Sequence, residues 1–254
     1  MEKLAVWSEN CEVRFGAIDK SDAMTLNAAL DFFQEAAISH AENLGVGREA
    51  MALSKQGWLL SRMSLQIDRR PKYGETVAVR TWPRGGEKLF ALRDYDIRDS
   101  GGNPAIRARS CWIIIDMEKR RPLRPQSIMD ALPRNDGLDA LLADRTLAVS
   151  LEERPSLQKI AERQALYSDV DFNGHVNNVS YIRWIEDALD SALLEQAKQM
   201  RLDINYLNEV LPDDITEIWS AEITEEATPH AFAFEGRKIH DGQATFRAEL
   251  RLWE

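Results

Sequence analysis

Asp171, Asn173 and His175 are the residues of this chain whose types and spacing best suit catalysis. They occupy alternate positions just before an amphipathic segment, so an extended or turning backbone can place all three on one side. A helix starting there would add unpaired N–H groups and the positive end of its dipole. A general base, a polar orienting group and an electropositive backbone site together suit hydrolysis at a carbonyl carbon. The alternative is that Asp171 and Asn173 serve only as helix N-caps, which is a common use of both residue types.

The chain contains an internal repeat. Placing residues 13–19 over residues 165–171 aligns Asp19 with Asp171, 152 positions later. Alternating apolar residues in segments 106–114 and 244–252 indicate half-buried antiparallel strands in both copies. Each copy therefore predicts a short strand, one helix of about five turns packed on a sheet, and four antiparallel strands. The register also aligns two sets of positions with helical spacing: Leu26, Ala29, Leu30, Phe33 and Ala36 in the first copy, and Asn178, Tyr181, Ile182, Ile185 and Ala188 in the second.

The two copies differ in the residues that could do chemistry. Where the second copy has Asp171, Asn173 and His175, the first has Asp19, Ser21 and Ala23. Residues that only capped a helix could be kept equally well in either copy. The amide and the imidazole in one copy alone therefore predict that catalysis belongs to the C-terminal half and that the first half has another task.

The motif Asp-x-Asn-x-His-Val-Asn-Asn-x-x-Tyr-Ile-x-Trp, at residues 171–184, resembles the signature of acyl-ACP thioesterases, which release fatty acids from acyl carrier protein (ACP). With the repeat, this resemblance implies an α+β tandem (double) hotdog fold, each half one long helix packed on an antiparallel β-sheet. It also implies an N-terminal hotdog domain at 1–135 that binds the acyl chain, a linker at 136–155 and a catalytic domain at 156–254. The resemblance covers most of the chain and includes Leu30–Leu44, Gly57–Trp58, Arg69–Val77, Thr81–Pro83 and Lys119–Pro122.

A second segment, residues 205–214, resembles the part of the family that supplies a further catalytic glutamate, here Glu209. A cysteine often follows that glutamate in the family and was once a candidate nucleophile, but this chain has Val210. Direct attack by water is then the simpler scheme. For Glu209, the alternative is an exposed carboxylate at the end of a strand.

These observations assign four candidate catalytic residues: Asp171, Asn173, His175 and Glu209. Either carboxylate could act as general base towards water, and the sequence does not distinguish them. His175 and Asn173 would orient the water and the carboxylate. Backbone N–H groups near residues 176–178 would polarise the thioester carbonyl.

Composition limits the other possibilities. The chain of 254 residues is 44% hydrophobic, with two cysteines and a formal net charge of −10. The negative charge argues against general nucleic-acid binding, and no apolar run approaches the roughly 18–20 residues of a membrane span. The N-terminus lacks the features of a signal or transit peptide, and two cysteines suit a reducing compartment, so we expect a cytoplasmic protein. The sequence contains no metal-ligand pattern, and we expect no cofactor.

An enzyme of net charge −10 needs a local positive patch to bind an acidic carrier protein. The candidates are Arg69, Arg70 and Lys72, then Arg120 and Arg121 with the flanking Lys119 and Arg124. The alternative is that these are solvated turn residues. Two other functions also stay open, an acyl-CoA thioesterase of the same fold and a non-catalytic module that binds acyl groups or carrier protein. The oligomeric state is open too, with a homodimer as one option.

Overall fold

The structure, a computed structural model, describes residues 2–123, 126–141, 149, 156–224, 228 and 230–254. Within these residues, eleven strands form one antiparallel sheet. No helix in the same part of the chain is both long enough and apolar enough to cross a bilayer.

The first half contains a strand, a long helix and a run of antiparallel strands. Helix α1 begins where the Thr25 hydroxyl accepts a hydrogen bond from the N–H of Ala28, and it ends at Gly45, whose φ of 75° suits a helix C-cap. The elements of this half are β1 (Trp7–Glu12), α1 (Leu26–Leu44), α2 (Arg48–Leu53), β2 (Gln56–Ile67), β3 (Thr76–Glu87), β4 (Phe90–Arg98), β5 (Pro104–Asp116), β6 (Arg121–Leu123) and α3 (Gln126–Ala131).

The second half repeats this order with a shorter helix. The prediction of a five-turn helix is wrong here, because α4 has 11 residues. Leu189 is extended, and the Asp190 carboxylate accepts the N–H of Ala192 at 3.0 Å and so starts a new helix. The elements are β7 (Gln158–Gln164), α4 (Asn178–Ala188), α5 (Ser191–Gln196), β8 (Gln199–Tyr206), β9 (Ile215–Glu222), β10 (His230–Lys238) and β11 (Ala244–Trp253).

Strands β2 and β8 join the two halves into one sheet. The strand order is β1-β3-β4-β5-β2-β8-β11-β10-β9-β7, with β6 beside β5. At the seam, the Ser64 hydroxyl on β2 donates a hydrogen bond to the Asp203 carboxylate on β8. The main apolar core spans both halves and includes Phe33 of α1, Ile182 of α4 and residues of the central strands. This arrangement confirms the predicted α+β tandem hotdog fold.

The backbone confirms the register of the repeat. The isolated bridges between Ile18 and Met24 and between Val170 and Val176 are separated by the same 152 positions as Asp19 and Asp171. Helices α1 and α4 begin at equivalent positions. The division into domains at 1–135 and 156–254 stays a prediction, since residues 142–148 and 150–155 of the intervening linker lie outside the described residues.

Candidate active site

The segment from Asp171 to His175 forms a closed turn directly before α4. The N–H of Asp171 donates to the carbonyl of His175 at 2.9 Å, and the N–H of Gly174 donates to the carbonyl of Asp171 at 3.0 Å. Gly174 has a φ of 80°, a left-handed conformation that glycine adopts without strain. The Asp171 carboxylate accepts the backbone N–H of Asn173 at 2.8 Å and its side-chain amide at 3.2 Å. Asn173 therefore fixes the orientation of the Asp171 carboxylate.

The imidazole of His175 meets the carboxylate of Glu209, with Nε2 3.1 Å from Oε2. Glu209 lies in the connection after β8, where the carbonyl of buried Val210 accepts the N–H of Val176 at 2.9 Å. Tyr181 is hydrogen-bonded to the same Val210 backbone, and burial raises the pKa of this tyrosine, so it stays neutral. The side chains of His175 and Glu209 are 33% and 37% exposed, so water can reach both.

Among the backbone N–H groups expected to polarise a carbonyl, that of Asn178 is open. The N–H of Val176 is already used, and the N–H of Asn177 donates to the carbonyl of Asp169 at 2.8 Å. The Asn177 side chain accepts the N–H of Val179 at 3.0 Å and so caps α4. The N–H of Asn178 has no hydrogen-bond partner within the described residues. Of the three backbone N–H groups expected to bind the oxyanion, only that of Asn178 is therefore still available among the described residues.

The first half contributes two basic side chains to this site. Arg120 is ion-paired with Glu209, across a sequence separation of 89 positions. Arg120 has a φ of 49° in the tight connection between β5 and β6, where the Asp116 carboxylate accepts the N–H groups of residues 118 and 119. The guanidinium of Arg48 on α2 lies 4.1 Å from the ring centroid of Phe172. The candidate site therefore lies at the seam between the two halves, not within the second half alone.

The equivalent place in the first half is closed by an ion pair. Asp19, the counterpart of Asp171, pairs with Arg70, whose side chain is only 5% exposed. Arg70 also donates to the backbone carbonyls of Met24 at 2.8 Å, Leu194 at 2.9 Å and Ala23 at 3.0 Å. All of these partners belong to the protein itself, so the Arg70 side chain stabilises this part of the fold.

Sequence-family models match both halves of the chain. The acyl-ACP thioesterase N-terminal domain matches residues 5–131, and the acyl-ACP thioesterase C-terminal domain matches residues 152–251. The chain belongs to the acyl-ACP thioesterase family.

Two curated relatives of this family member come from plants. Oleoyl-acyl carrier protein thioesterase 1, chloroplastic, from Arabidopsis thaliana is 26% identical over 97% of this chain and 72% of its own length. Palmitoyl-acyl carrier protein thioesterase, chloroplastic, from Gossypium hirsutum is 28% identical over 84% of this chain. The aligned region spans 54% of the Gossypium protein, so the chain corresponds to about half of that relative.

Two solved structures show the same fold. An acyl-ACP thioesterase from Bacteroides thetaiotaomicron superposes with a TM-score of 0.83 at 23% identity, covering 98% of each chain. The 12:0-ACP thioesterase from Umbellularia californica gives a TM-score of 0.80 at 20% identity, covering 98% of this chain and 94% of that one.

The residues expected to bind a carrier protein are placed differently from one another in this acyl-ACP thioesterase family member. Lys72 and Arg121 are exposed. Arg69 is half-buried and ion-paired with a nearby glutamate at 2.9 Å. Arg70 is buried and fully engaged, which corrects its assignment to a docking surface. Arg124 lies outside the described residues.

The structure offers no obvious thiolate nucleophile. Cys111 is buried on β5 and Cys11 is half-buried on β1, and neither forms a disulfide. Burial raises the pKa of the Cys11 thiol, which disfavours the reactive thiolate. Within the described residues, no cluster of three or more His, Cys, Asp or Glu side chains could hold a metal ion.

Proposed function

We propose that this chain hydrolyses fatty acyl-ACP to free fatty acid and ACP by direct attack of water on the thioester. The observation that supports this proposal is the pairing of Asp171 with Asn173 and of His175 with Glu209, together with the open N–H of Asn178, three positions after His175. Thioester hydrolysis by water requires a general base and a donor for the oxyanion, and these residues can supply both.

In the proposed reaction, the carboxylate of Asp171 or Glu209 accepts a proton from water while the water oxygen bonds to the thioester carbonyl carbon. Asn173 orients the first carboxylate and His175 the second. The N–H of Asn178 and the positive end of the α4 dipole stabilise the oxyanion that forms. When this tetrahedral intermediate collapses, the C–S bond breaks and the thiolate takes the proton from the carboxyl group. The products are the fatty acid and the free thiol of ACP, and the carboxylate is regenerated.

The acyl chain would lie in the core of the first half, between α1 and its sheet. A cavity of about 20 Å³ opens beside the N-terminus of α4 and could be its entrance. That volume holds roughly one water-sized group, so acyl binding requires the lining side chains to move apart. On the side of the first half, the lining is mostly apolar and aromatic: Leu30, Phe33, Leu60, Met63, Tyr95 and Trp112.

The decisive experiment compares hydrolysis of one acyl group carried on ACP and on CoA. We expect kcat/KM to be at least about tenfold higher for acyl-ACP, equivalent to about 1.4 kcal/mol of additional transition-state binding. Equal values for the two carriers would instead support an acyl-CoA thioesterase. Binding of acyl-ACP without hydrolysis of either substrate would support a non-catalytic carrier-binding module.

Carrier docking gives a second prediction. Lys72→Glu and Arg121→Glu should raise the KM for acyl-ACP and leave kcat on a short soluble acyl thioester nearly unchanged, because both side chains are exposed and make no contact with the catalytic groups. Added salt should weaken acyl-ACP turnover more in the wild type than in these variants, since exposed charge contacts are screened over about 8–10 Å.

Arg120 supplies the contrast for that experiment. Although it was expected to bind the carrier, its contact with Glu209 predicts that Arg120→Glu lowers kcat on both substrates. Equal effects of Lys72→Glu and Arg121→Glu on both substrates would contradict a docking role and would indicate that these residues maintain the fold.

A cytoplasmic location and a homodimer remain predictions. The location is supported by the two free cysteines, which suit a reducing compartment. Fractionation of cells and size measurement in solution would test them.

A further inference from the structure

Helices α1 and α4 place their ninth residues at equivalent positions. Gln34 is the ninth residue of α1, and Glu186 is the ninth residue of α4. The carboxylate of Glu186 reaches the first turn of α1, while Gln34 borders the first turn of α4. The two helices therefore run antiparallel here, and each presents its ninth side chain to the N-terminus of the other.

In the first half, this place is filled. The Glu186 carboxylate accepts the N–H of Leu26 at 2.8 Å and the N–H of Asn27 at 3.3 Å, the first two N–H groups of α1. The position of this carboxylate shows where an oxygen atom lies when it is bound by the N-terminus of such a helix in this fold.

In the second half, the same place is open. Gln34 lines the cavity of about 20 Å³ together with Asn178 and Val179, the counterparts of Leu26 and Asn27. The side chain of Gln34 has no hydrogen-bond partner in the part of the chain that the structure describes. The cavity is thus bordered by an unused amide and by the unused N–H of Asn178, and it is large enough for one oxygen atom.

We propose that Gln34 is a catalytic residue contributed by the first half, whose side-chain amide donates a hydrogen bond to the thioester carbonyl oxygen. The inference rests on the proposed hydrolysis and assigns the second donor for its oxyanion. Glutamine has the length and shape of Glu186 but is neutral and carries N–H donors, whereas an ionised carboxylate has none. A glutamate at position 34 would place a negative charge where negative charge develops in the transition state.

Two substitutions test this role on acyl-ACP and on a short soluble acyl thioester. Gln34→Met keeps the side-chain length and removes the donors, so kcat should fall about 10²-fold on both substrates with little change in KM. For Gln34→Glu, kcat should fall further, because the added negative charge repels the oxyanion. The new carboxylate can also occupy the N-terminus of α4, as Glu186 occupies the N-terminus of α1. Glu186→Gln is the matched control at the equivalent helix position, and it should keep kcat within about threefold of the wild type.

The outcomes separate the inference from the function on which it rests. Thermal melting of each variant identifies loss of the fold, which would affect Gln34→Met and Gln34→Glu alike. A folded Gln34→Met variant with near wild-type kcat would overturn the inference, as would a Gln34→Glu variant that is more active than Gln34→Met. A wild-type protein that hydrolyses neither substrate would overturn the proposed function itself.

Discussion

Replacing Glu209 by glutamine or Asp171 by asparagine should lower kcat at least about 10²-fold while the protein stays folded. Each substitution keeps the side-chain volume and removes a negative charge that could accept the proton of water. His175→Ala and Asn173→Ala should cause losses of the same order, because each side chain contacts one of the carboxylates. Steady-state assays on a short acyl thioester, with thermal melting of every variant, would measure these effects. The carboxylate whose removal has the larger effect would be identified as the general base.

Ser21→Ala is the matched control for these variants. Ser21 is the counterpart of Asn173, and its N–H donates to the Asp19 carboxylate at 2.9 Å, but the turn to which it belongs is not part of the proposed site. The kcat of Ser21→Ala should stay within a few-fold of the wild type. Asp19→Ala should instead lower the free energy of unfolding by about 3–5 kcal/mol, because buried Arg70 loses its carboxylate partner. A large loss of kcat in either folded variant would place the active site elsewhere.

The fold was predictable because both copies of the repeat show the local spacing of apolar residues that is typical of helices and strands. The helical spacing of residues such as Leu30 and Phe33, and of Ile182 and Ile185, depends only on which face of a helix is buried. The five-turn length predicted for α4 was wrong because it followed the first copy, whereas the helical stripe of the second copy ends at Ala188, where α4 also ends. The extended Leu189 and the cap formed by Asp190 separate α4 from the next helix.

The candidate site was predictable only where it is local. Asp171, Asn173 and His175 lie in one turn, so their spacing already implied proximity. Glu209 was assigned by resemblance, and the structure then brought its carboxylate to His175. The catalytic role of these four residues remains a prediction.

Contacts between residues far apart in the sequence were the part that sequence reasoning missed. Arg120 and Arg70 were both assigned to a carrier surface, because an enzyme of net charge −10 needs a local positive patch to bind an acidic carrier protein. Burial and pairing with Asp19 and three carbonyls remove Arg70 from that surface. Arg120 meets Glu209, and its role in carrier binding stays a prediction. The role of Glu186 depends on a contact with Leu26 across 160 positions, which no local spacing reveals. One signal was available, since the repeat register already aligned Glu186 with Gln34.

The buried carboxylate of Glu186 also predicts how stability depends on pH. Burial raises the pKa of Glu186 from an ordinary value of 4.5 to about 7, although the N–H groups of Leu26 and Asn27 and the charge of Arg70 act in the opposite direction. The folded protein therefore holds this proton more tightly than the unfolded chain. The stability that results is fully present below pH 4.5 and is lost as the pH rises through about 7. The positive end of the α1 dipole favours the ionised form, so the size of the effect has an upper bound of about 3 kcal/mol.

We expect the free energy of unfolding of the wild type, minus that of Glu186→Gln, to fall by up to about 3 kcal/mol between pH 4.5 and about pH 8. Urea titrations at several pH values measure this difference, and the titration of all other groups cancels between the two proteins. Glu35→Gln, which removes an exposed carboxylate from α1, controls for the loss of one negative charge. A difference that stays constant over this range would mean that Glu186 binds no more proton in the folded protein than in the unfolded chain. In that case, the N-terminus of α1 would hold an ionised carboxylate. The equivalent N-terminus of α4 would then be an even stronger site for an oxyanion.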